Sequence, residues 1–293
     1  MNKLQNKNAL ILVTGATGTV GSEVVKQLIE AGHKKIRVLV RNPAKASKFG
    51  NAVEIAKGDF EDPASLRAAL KDIEVAFLAT APTERMVEHE INFIVAAETT
   101  GLKRLVKLSN IMATPENPAP AARAHGEIEL RLAKSGIPTT ILRPGWYMSN
   151  FFGDAQSIKT GQLYSATESG RISFIDTSDV AAVAVAVLLD SAHSGHNYKL
   201  TGPESLSYEE VGATFTRILG HPVKHIGVDD KSLRVSLEAA SFPEFVIDEI
   251  LKVSNEVRRG DLELVSNAVL EVLNRPANSL EKWIESNRNT FSK

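Results

Sequence analysis

The sequence predicts an α/β fold, a doubly wound parallel sheet with a smaller and mostly helical C-terminal lobe. Residues 9–13 form a short apolar run, which is typical of a strand buried on both faces. Three glycines follow at intervals of three, and residues 22–30 then show the apolar spacing of an amphipathic helix. Further apolar runs alternate with helical patterns as far as residue 142, which is the order of a parallel sheet covered by helices.

Composition narrows the class of function. The chain has 293 residues, a formal net charge of −1 and no cysteine. The near-neutral charge argues against nucleic-acid and anionic-membrane partners, and the lack of cysteine excludes disulfides, thiolate metal sites and a cysteine nucleophile. The longest apolar run, residues 180–189, is half as long as a membrane span, and the first residues lack a signal-peptide pattern. We therefore expect a cytoplasmic protein.

The turn after the first strand is the strongest functional signal. Gly15, Gly18 and Gly21 lie between a strand and a helix, and a helix N-terminus offers N–H groups and a positive dipole to a pyrophosphate. The spacing G-x-x-G-x-x-G differs from the commonest dinucleotide fingerprint. A phosphate-only loop is disfavoured because no Lys-Ser or Lys-Thr pair follows a glycine at the required offset. The alternative is an ordinary strand-to-helix turn without a ligand.

The second strand, residues 36–40, ends at Arg41. An acidic residue in this place accepts a hydrogen bond from the 2′-hydroxyl of NAD, whereas an arginine attracts the 2′-phosphate of NADP. Lys45 adds a second positive charge. The pattern therefore favours NADP(H) as the cofactor, and the alternative is a solvated basic loop.

The next three strands end at the same predicted crevice. The third, residues 53–57, is followed by Asp59 and Phe60, which we interpret as flanking the adenine. The fifth, residues 104–109, ends at Ser109, which faces the same crevice. The fourth, residues 75–80, ends in small residues that leave room for the ribose and nicotinamide: Ala79, Thr80 and Ala81.

A helical pattern and a sixth strand complete the predicted sheet. The helix, residues 119–135, carries His125 and Glu129 four positions apart, so both lie on one face and are able to touch. The sixth strand, residues 137–142, leads into an aromatic cluster at the carboxyl edge of the sheet. Four residues of this cluster are candidates for substrate contact: Trp146, Tyr147, Met148 and Phe151. The alternative is a hydrophobic plug that joins two lobes.

The motifs resemble those of the NmrA-like branch of the atypical short-chain dehydrogenase/reductases. They are V-T-G-A-T-G-T-V-G, V-R-N-P, G-D-F, L-R-P-G-W-Y-M-S-N-F and I-S-F-I-D-T-S-D-V-A. Within this branch the chain is most similar to NADPH-dependent quinone oxidoreductases and triphenylmethane dye reductases. The resemblance implies an NADP-binding Rossmann domain, residues 1–149 with a return at about 171–190. It also implies a substrate-binding lobe, residues 150–293.

The resemblance also assigns binding roles by position. It implies that Arg41 holds the 2′-phosphate, that Asp59 and Phe60 hold the adenine, and that the small residues after the fourth strand line the ribose. The residues implied for the pyrophosphate are Gly15, Thr17, Gly18, Thr19 and Val20.

One departure concerns the chemistry. The larger superfamily reduces carbonyls with a Tyr-x-x-x-Lys pair, in which the lysine lowers the pKa of the tyrosine. No tyrosine of this chain has a lysine four residues later; the residues at that offset are Phe151, Glu168, Gly202 and Gly212. The matching helix instead offers His125 and Glu129, which the dye reductases of the branch also have. Ordinary ketone reduction is therefore not expected.

Quinones and cationic dyes accept hydride without such a pair, because the electrons enter an electron-poor system. We therefore expect a small aromatic or conjugated substrate. His125, oriented by Glu129, is a candidate proton donor, although the two residues equally suit a helix-surface ion pair. Tyr147 is a second candidate donor. Two other functions stay open, a non-enzymatic NADP(H) redox sensor and a reductase of an activated alkene or imine, as does assembly into a homodimer.

Overall fold

The computed structural model describes residues 8–292. They form two compact units. The first unit holds the described residues up to Glu116, together with Ala121–Arg143 and Val180–Tyr198. The second holds Asn117–Pro120, Pro144–Asp179 and the described residues from Lys199 onward. The expectation about a signal peptide concerns the first seven residues, which lie outside the described part.

Eleven strands occur in the described residues. In chain order they are β1 (Ile11–Val13), β2 (Ile36–Val40), β3 (Glu54–Lys57), β4 (Val75–Leu78), β5 (Arg104–Leu108), β6 (Thr139–Pro144), β7 (Gln162–Ser165), β8 (Arg171–Ile172), β9 (Asn197–Leu200), β10 (Leu206–Ser207) and β11 (Lys224–Gly227). Seven of them form one sheet in the order β3-β2-β1-β4-β5-β6-β9. Val13 of β1 pairs in parallel with Val38 of β2 and with Phe77 of β4.

Helices connect these strands. They are α1 (Thr19–Glu30), α2 (Pro63–Leu70), α3 (Met86–Glu98), α4 (Pro120–Ala133), α5 (Ala155–Lys159), α6 (Thr177–Leu189), α7 (Tyr208–Leu219), α8 (Asp230–Ala239), α9 (Glu244–Arg258), α10 (Ala268–Leu273), α11 (Leu280–Ser286) and α12 (Arg288–Phe291). Shorter 3₁₀ segments cover Pro43–Ala52, Met148–Phe152 and Ser191–His193. None of the helices in residues 8–292 has the length and apolar character needed to cross a membrane.

The strand order decides where a ligand can bind. The chain runs outward from β1 to β3 and then returns to the other side of β1 at β4, so the order reverses between β1 and β4. Ligands of open α/β sheets bind beyond the carboxyl ends of the strands at such a reversal. The sheet is anchored by fully buried apolar side chains such as Leu12, Leu78 and Phe93, which belong to one hydrophobic cluster.

The second unit has an aromatic core of its own. The Phe151 ring centroid lies 5.2 Å from that of Phe174, 5.7 Å from that of Phe215 and 6.4 Å from that of Trp283. Aromatic rings at such separations contribute packing energy beyond their buried area. The helices of this unit therefore pack around rings contributed by distant parts of the chain.

The predicted fold class is confirmed. Relative to the sequence-based prediction, the sheet has one more strand, and one other strand is shorter. The sheet has seven strands because Asn197–Leu200 joins it beside β6, whereas the sequence pattern placed only six strands in it. The apolar pattern of residues 172–175 predicts a further strand, and in the structure this strand is restricted to Arg171–Ile172. The division into a nucleotide-binding domain and a substrate-binding lobe stays a prediction, since the existence of two compact units does not show which ligand each unit binds.

Candidate cofactor and active site

The glycine turn between β1 and α1 is closely packed. Gly15 has φ +61°, and a Cβ added to it would lie 2.8 Å from the carbonyl oxygen of Ala79. A Cβ added to Gly21 would collide with the carbonyl oxygen of Gly15. Positive φ and contact with backbone are both conditions that favour glycine. Two of the three glycines are therefore required by the close approach of strand, turn and helix.

Thr14 connects this turn to the end of β4. Its hydroxyl donates to the Ala79 carbonyl and accepts from the Ala79 N–H, each at 2.9 Å. Thr14 is fully buried, and Ala79 is nearly so. Because buried polar groups need partners, these bonds hold the two strand ends at the reversal of the sheet together.

The N-terminus of α1 is available to an anion. Gly18 is its N-cap and, within the described residues, receives no side-chain cap; the first turn has no acidic residue. Thr17, Gly18 and Thr19 are exposed, whereas the Val20 side chain is buried and offers only its main chain. The uncapped N–H groups and the helix dipole suit a pyrophosphate. The residues present therefore fit the nucleotide that the sequence pattern predicts.

Arg41 and Lys45 follow the neighbouring strand β2. Both are exposed, and neither side chain has a hydrogen-bond or ion-pair partner within residues 8–292. Asn42, which lies between them, caps the following 3₁₀ segment by accepting from the Ala44 N–H at 3.0 Å. Two cations without such a partner in the described residues, beside the predicted nucleotide site, suit the 2′-phosphate of NADP.

Asp59 and Phe60 follow β3 and are held by local contacts. Asp59 Oδ1 accepts from the Glu61 N–H at 3.1 Å, so one carboxylate oxygen closes a turn. The Phe60 carbonyl accepts from Asn92 of α3 at 3.0 Å, and its half-buried ring packs against the hydrophobic cluster of the first unit. The two residues have fixed positions at the carboxyl edge. Their predicted contact with adenine stays a prediction.

The ends of β4 and β5 carry hydroxyl groups that already have partners. Thr80 Oγ1 donates to Glu90 Oε1 at 2.8 Å, and Ser109 Oγ donates to Glu129 Oε1. Ala81 is exposed next to Thr80. The predicted cofactor residues of the first unit thus follow five neighbouring strands of the sheet along one edge, from β3 to β5.

The expectation that Glu129 orients His125 is wrong. Glu129 instead forms an ion pair with Arg143 of β6, whose Nε lies 3.0 Å from Glu129 Oε1, and it accepts the Ser109 hydroxyl. His125 accepts from the Lys107 ammonium, with 3.1 Å between Nζ and Nδ1. Because His125 and Glu129 share one helix face, contact between them is feasible. In this fold, however, Lys107 of β5 is the partner of His125, and Arg143 of β6 is a stronger, charged partner for Glu129.

His125 is neutral at physiological pH. Burial and the nearby positive charge of Lys107 hold the pKa of its imidazole well below the ordinary value. A neutral imidazole does not release a proton as an imidazolium does. The role of His125 as a proton donor stays a prediction, and the structure favours a hydrogen-bond donor over an acid.

Lys107 and Glu90 form a fully buried ion pair that the sequence analysis missed. Nζ lies 2.9 Å from Glu90 Oε2, and both side chains have 0% exposure. Two signals were present in the sequence. Lys107 interrupts an apolar strand, and Glu90 shares the buried face of α3 with Met86 and Phe93.

In the second unit the four predicted substrate residues differ in burial. Met148 and Phe151 are each 1% exposed and belong to the packed interior, whereas Trp146 and Tyr147 are half-buried. Burial raises the pKa of Tyr147, so the phenol stays protonated. The structure gives Met148 and Phe151 a packing role. Substrate contact by any of the four stays a prediction.

Comparison with known proteins agrees with this geometry. The model of a family described as NAD(P)H-binding matches residues 15–191. An NAD(P)H azoreductase from Xenophilus azovorans is 33% identical over 284 residues, which cover 96% of this chain and 99% of that protein. A (4-alkanoyl-5-oxo-2,5-dihydrofuran-3-yl)methyl phosphate reductase from Streptomyces griseus is 36% identical over 289 residues, which cover 97% and 99%.

Solved structures with the same fold include nucleotide complexes. The NADPH-dependent quinone oxidoreductase QOR2 from Escherichia coli, complexed with NADPH, matches with a TM-score of 0.89 and 28% identity, covering 95% of this chain and 100% of that one. The Citrobacter sp. triphenylmethane reductase complexed with NADP(H) shares the fold, with a TM-score of 0.84 and 24% identity over 93% and 98% of the two chains.

Proposed function

Because this chain belongs to the NAD(P)H-binding family, we propose that it is an NADPH-dependent reductase that transfers hydride to a quinone-like or otherwise conjugated aromatic acceptor. The family resemblance carried by the sequence motifs is confirmed. The observation that carries the proposal is the N-terminus of α1, which has no side-chain cap, with Arg41 after the neighbouring strand; Arg41 likewise has no partner among residues 8–292.

Residues of the first unit hold the cofactor in this proposal. Main-chain groups of Thr17, Gly18, Thr19 and Val20 bind the pyrophosphate, and Arg41 with Lys45 binds the 2′-phosphate. Asp59 and Phe60 flank the adenine, while Ala79, Thr80, Ala81 and Ser109 line the ribose and nicotinamide side. Bound NADPH supplies the hydride.

The proposed class of hydride acceptor is inferred from the names of proteins that are similar to this chain. The names of three of them refer to quinones, triphenylmethane dyes or azo reduction. Such acceptors take hydride without prior protonation, which suits a chain without the Tyr-x-x-x-Lys pair. Trp146 and Tyr147 are proposed to contact the acceptor. A second candidate activity, reduction of an activated alkene, is favoured by the Streptomyces griseus relative, whose named substrate is an unsaturated furanone.

The competing function is a non-enzymatic NADP(H) sensor. NADPH consumption measured at 340 nm with a panel of quinones, azo dyes and triphenylmethane dyes, and with an unsaturated lactone, separates the candidates. Turnover with at least one aromatic acceptor is the expected result. Tight binding of both NADP and NADPH without oxidation by any acceptor would support the sensor and contradict the reductase.

Location and assembly belong to the same proposal. We propose that the protein acts in the cytoplasm on a small molecule, without nucleic-acid or membrane partners. Assembly into a homodimer is testable by light scattering on the purified chain, which gives twice the mass of 31.7 kDa for a dimer. The chain mass alone would contradict a stable dimer.

A further inference from the structure

The fully buried ion pair in the first unit is joined to His125. The Lys107 ammonium lies 2.9 and 3.1 Å from the two carboxylate oxygens of Glu90, 3.1 Å from His125 Nδ1, and also donates to the carbonyl of Leu108. Glu90 in turn accepts from Thr80 at 2.8 Å. An ammonium has three N–H donors, and here each has an acceptor.

This arrangement decides which nitrogen of His125 carries the proton. An ammonium donates and does not accept, so Nδ1 must present its lone pair to Lys107 and the ring proton lies on Nε2. Protonating Nδ1 as well would direct an N–H group at a buried positive charge. Two other titratable groups act on this cluster: Glu90, which pairs with Lys107 and whose pKa is raised by burial, and the nearby His89.

The other nitrogen of His125 is free to bind a ligand. Nε2 has no partner within the described residues, and the half-buried side chain does not seal it from solvent. The helix that carries the ring packs closely on the preceding loop, because a Cβ on the adjacent Gly126 would collide with the backbone of Thr114. A fixed N–H donor therefore lies near the carboxyl end of β5, the edge where ligands bind.

We propose that Lys107 and Glu90 are positioning residues for the proposed reduction: they hold His125 as a neutral imidazole whose Nε2–H donates a hydrogen bond to the atom that gains negative charge as the acceptor is reduced. Hydride addition to a quinone leaves that charge on oxygen, and a proton from water then completes the hydroquinone. Hydride addition to a cationic triphenylmethane dye leaves a neutral product and no anion. The inference rests on the proposed function and adds that the chain favours acceptors whose reduction leaves an anion.

The first test is the tautomer itself, which needs no turnover. Long-range proton–nitrogen NMR of the ¹⁵N-labelled protein, assigned with His125→Gln, is expected to find the proton on Nε2 and no ionisation of His125 from about pH 5.5 to 8. A proton on Nδ1, or an ionisation of His125 within this range, would overturn the proposal even if the protein is an active reductase.

The second test is a comparison of two acceptors, menadione and crystal violet. Lys107→Met is expected to lower kcat for menadione about tenfold or more and to leave both kcat for crystal violet and KM for NADPH within about twofold. Its menadione profile is expected to show an ionisation of His125 at a higher pH than in wild type, because loss of Lys107 removes one of the two causes that lower the pKa of this imidazole, while burial, the larger cause, remains. Equal loss with both acceptors would mean a structural role only and would overturn the proposal.

Two further variants keep the result interpretable. Lys107→Met leaves Glu90 buried without a cation, so the double variant Lys107→Met/Glu90→Gln removes both charges and replaces the single variant if that one does not fold. Glu129→Gln removes a different ion pair on the same helix and is expected to leave the His125 tautomer unchanged. A wild-type protein that reduces neither acceptor contradicts the proposed function, while the NMR result still decides the tautomer.

Discussion

Thr14 Oγ1 and the backbone of Ala79 exchange two hydrogen bonds of 2.9 Å across the point where the strand order reverses. Thr14→Val keeps the shape of the side chain but leaves both backbone groups of Ala79 unpaired and buried. We expect a loss of about 2–4 kcal/mol in the free energy of unfolding, since each orphaned group costs about 1–3 kcal/mol. Urea denaturation measures this, with Thr14→Ser, which keeps the hydroxyl, as the control. Equal losses for the two variants would mean that the hydroxyl does not matter.

The role of Gly15 in the glycine turn can be tested by comparison with Gly32, which follows α1 and lies outside the turn. Both have positive φ, but only Gly15 has backbone within 4 Å of an added Cβ. Alanine at either position should lower stability by about 1 kcal/mol through backbone strain. Gly15→Ala should in addition weaken NADPH binding at least about tenfold, because relief of the contact with Ala79 moves the turn. Calorimetric titration compares the two; unchanged NADPH affinity in Gly15→Ala would contradict the site.

Asp154 should make stability depend on pH. It precedes α5 without capping it, and burial raises the pKa of its carboxyl to about 6. The folded state therefore binds the proton more tightly than the unfolded chain, so stability falls as pH rises from about 4 to 6 and stays lower above that. Asp154→Asn should be more stable than wild type by up to about 3 kcal/mol at pH 7 and equal to it near pH 3.5.

The matched control for this prediction is Asp229, which caps α8 and whose pKa is lowered by its bonds to Ser232. Its contribution has the opposite sign, present at neutral pH and lost as the carboxylate is protonated in acid. Asp229→Asn should therefore show no gain at pH 7. A difference between Asp154→Asn and wild type that does not change with pH would mean that Asp154 titrates normally in the folded protein.

The parts of the fold that follow from local pattern were predictable. β1, the glycine turn and α1 combine an apolar run, a spacing of three and helical periodicity, and each signal lies within 22 consecutive residues, 9–30. The pattern of residues 198–201 predicts a short strand, which the structure has as β9, but it does not predict that this strand is the seventh member of the sheet. Its pairing with β6 depends on contacts between residues about 55 positions apart, which no local pattern encodes.

The candidate site likewise has parts that the sequence predicts and parts that depend on contacts between distant residues. The carboxyl ends of β1 to β5 could be placed from topology, since parallel strands all end at one edge. The partners of His125 and Glu129 could not, because an i, i+4 spacing permits contact but does not decide it against Lys107 and Arg143, which approach from two strands. Burial of Phe151 likewise depends on rings contributed from beyond residue 170.

Substitution of Arg41 tests the proposed NADPH site most directly, because Arg41 is proposed to bind the one phosphate that distinguishes NADPH from NADH. Calorimetric Kd values for both nucleotides should be measured on wild type and Arg41→Gln, with Arg67→Gln, a change in another basic residue, as the control. Wild type should bind NADPH at least about tenfold more tightly than NADH, and Arg41→Gln should lose most of that preference while its NADH affinity stays unchanged. Equal affinity of the wild-type protein for the two nucleotides, or no measurable binding of NADPH, would contradict the account.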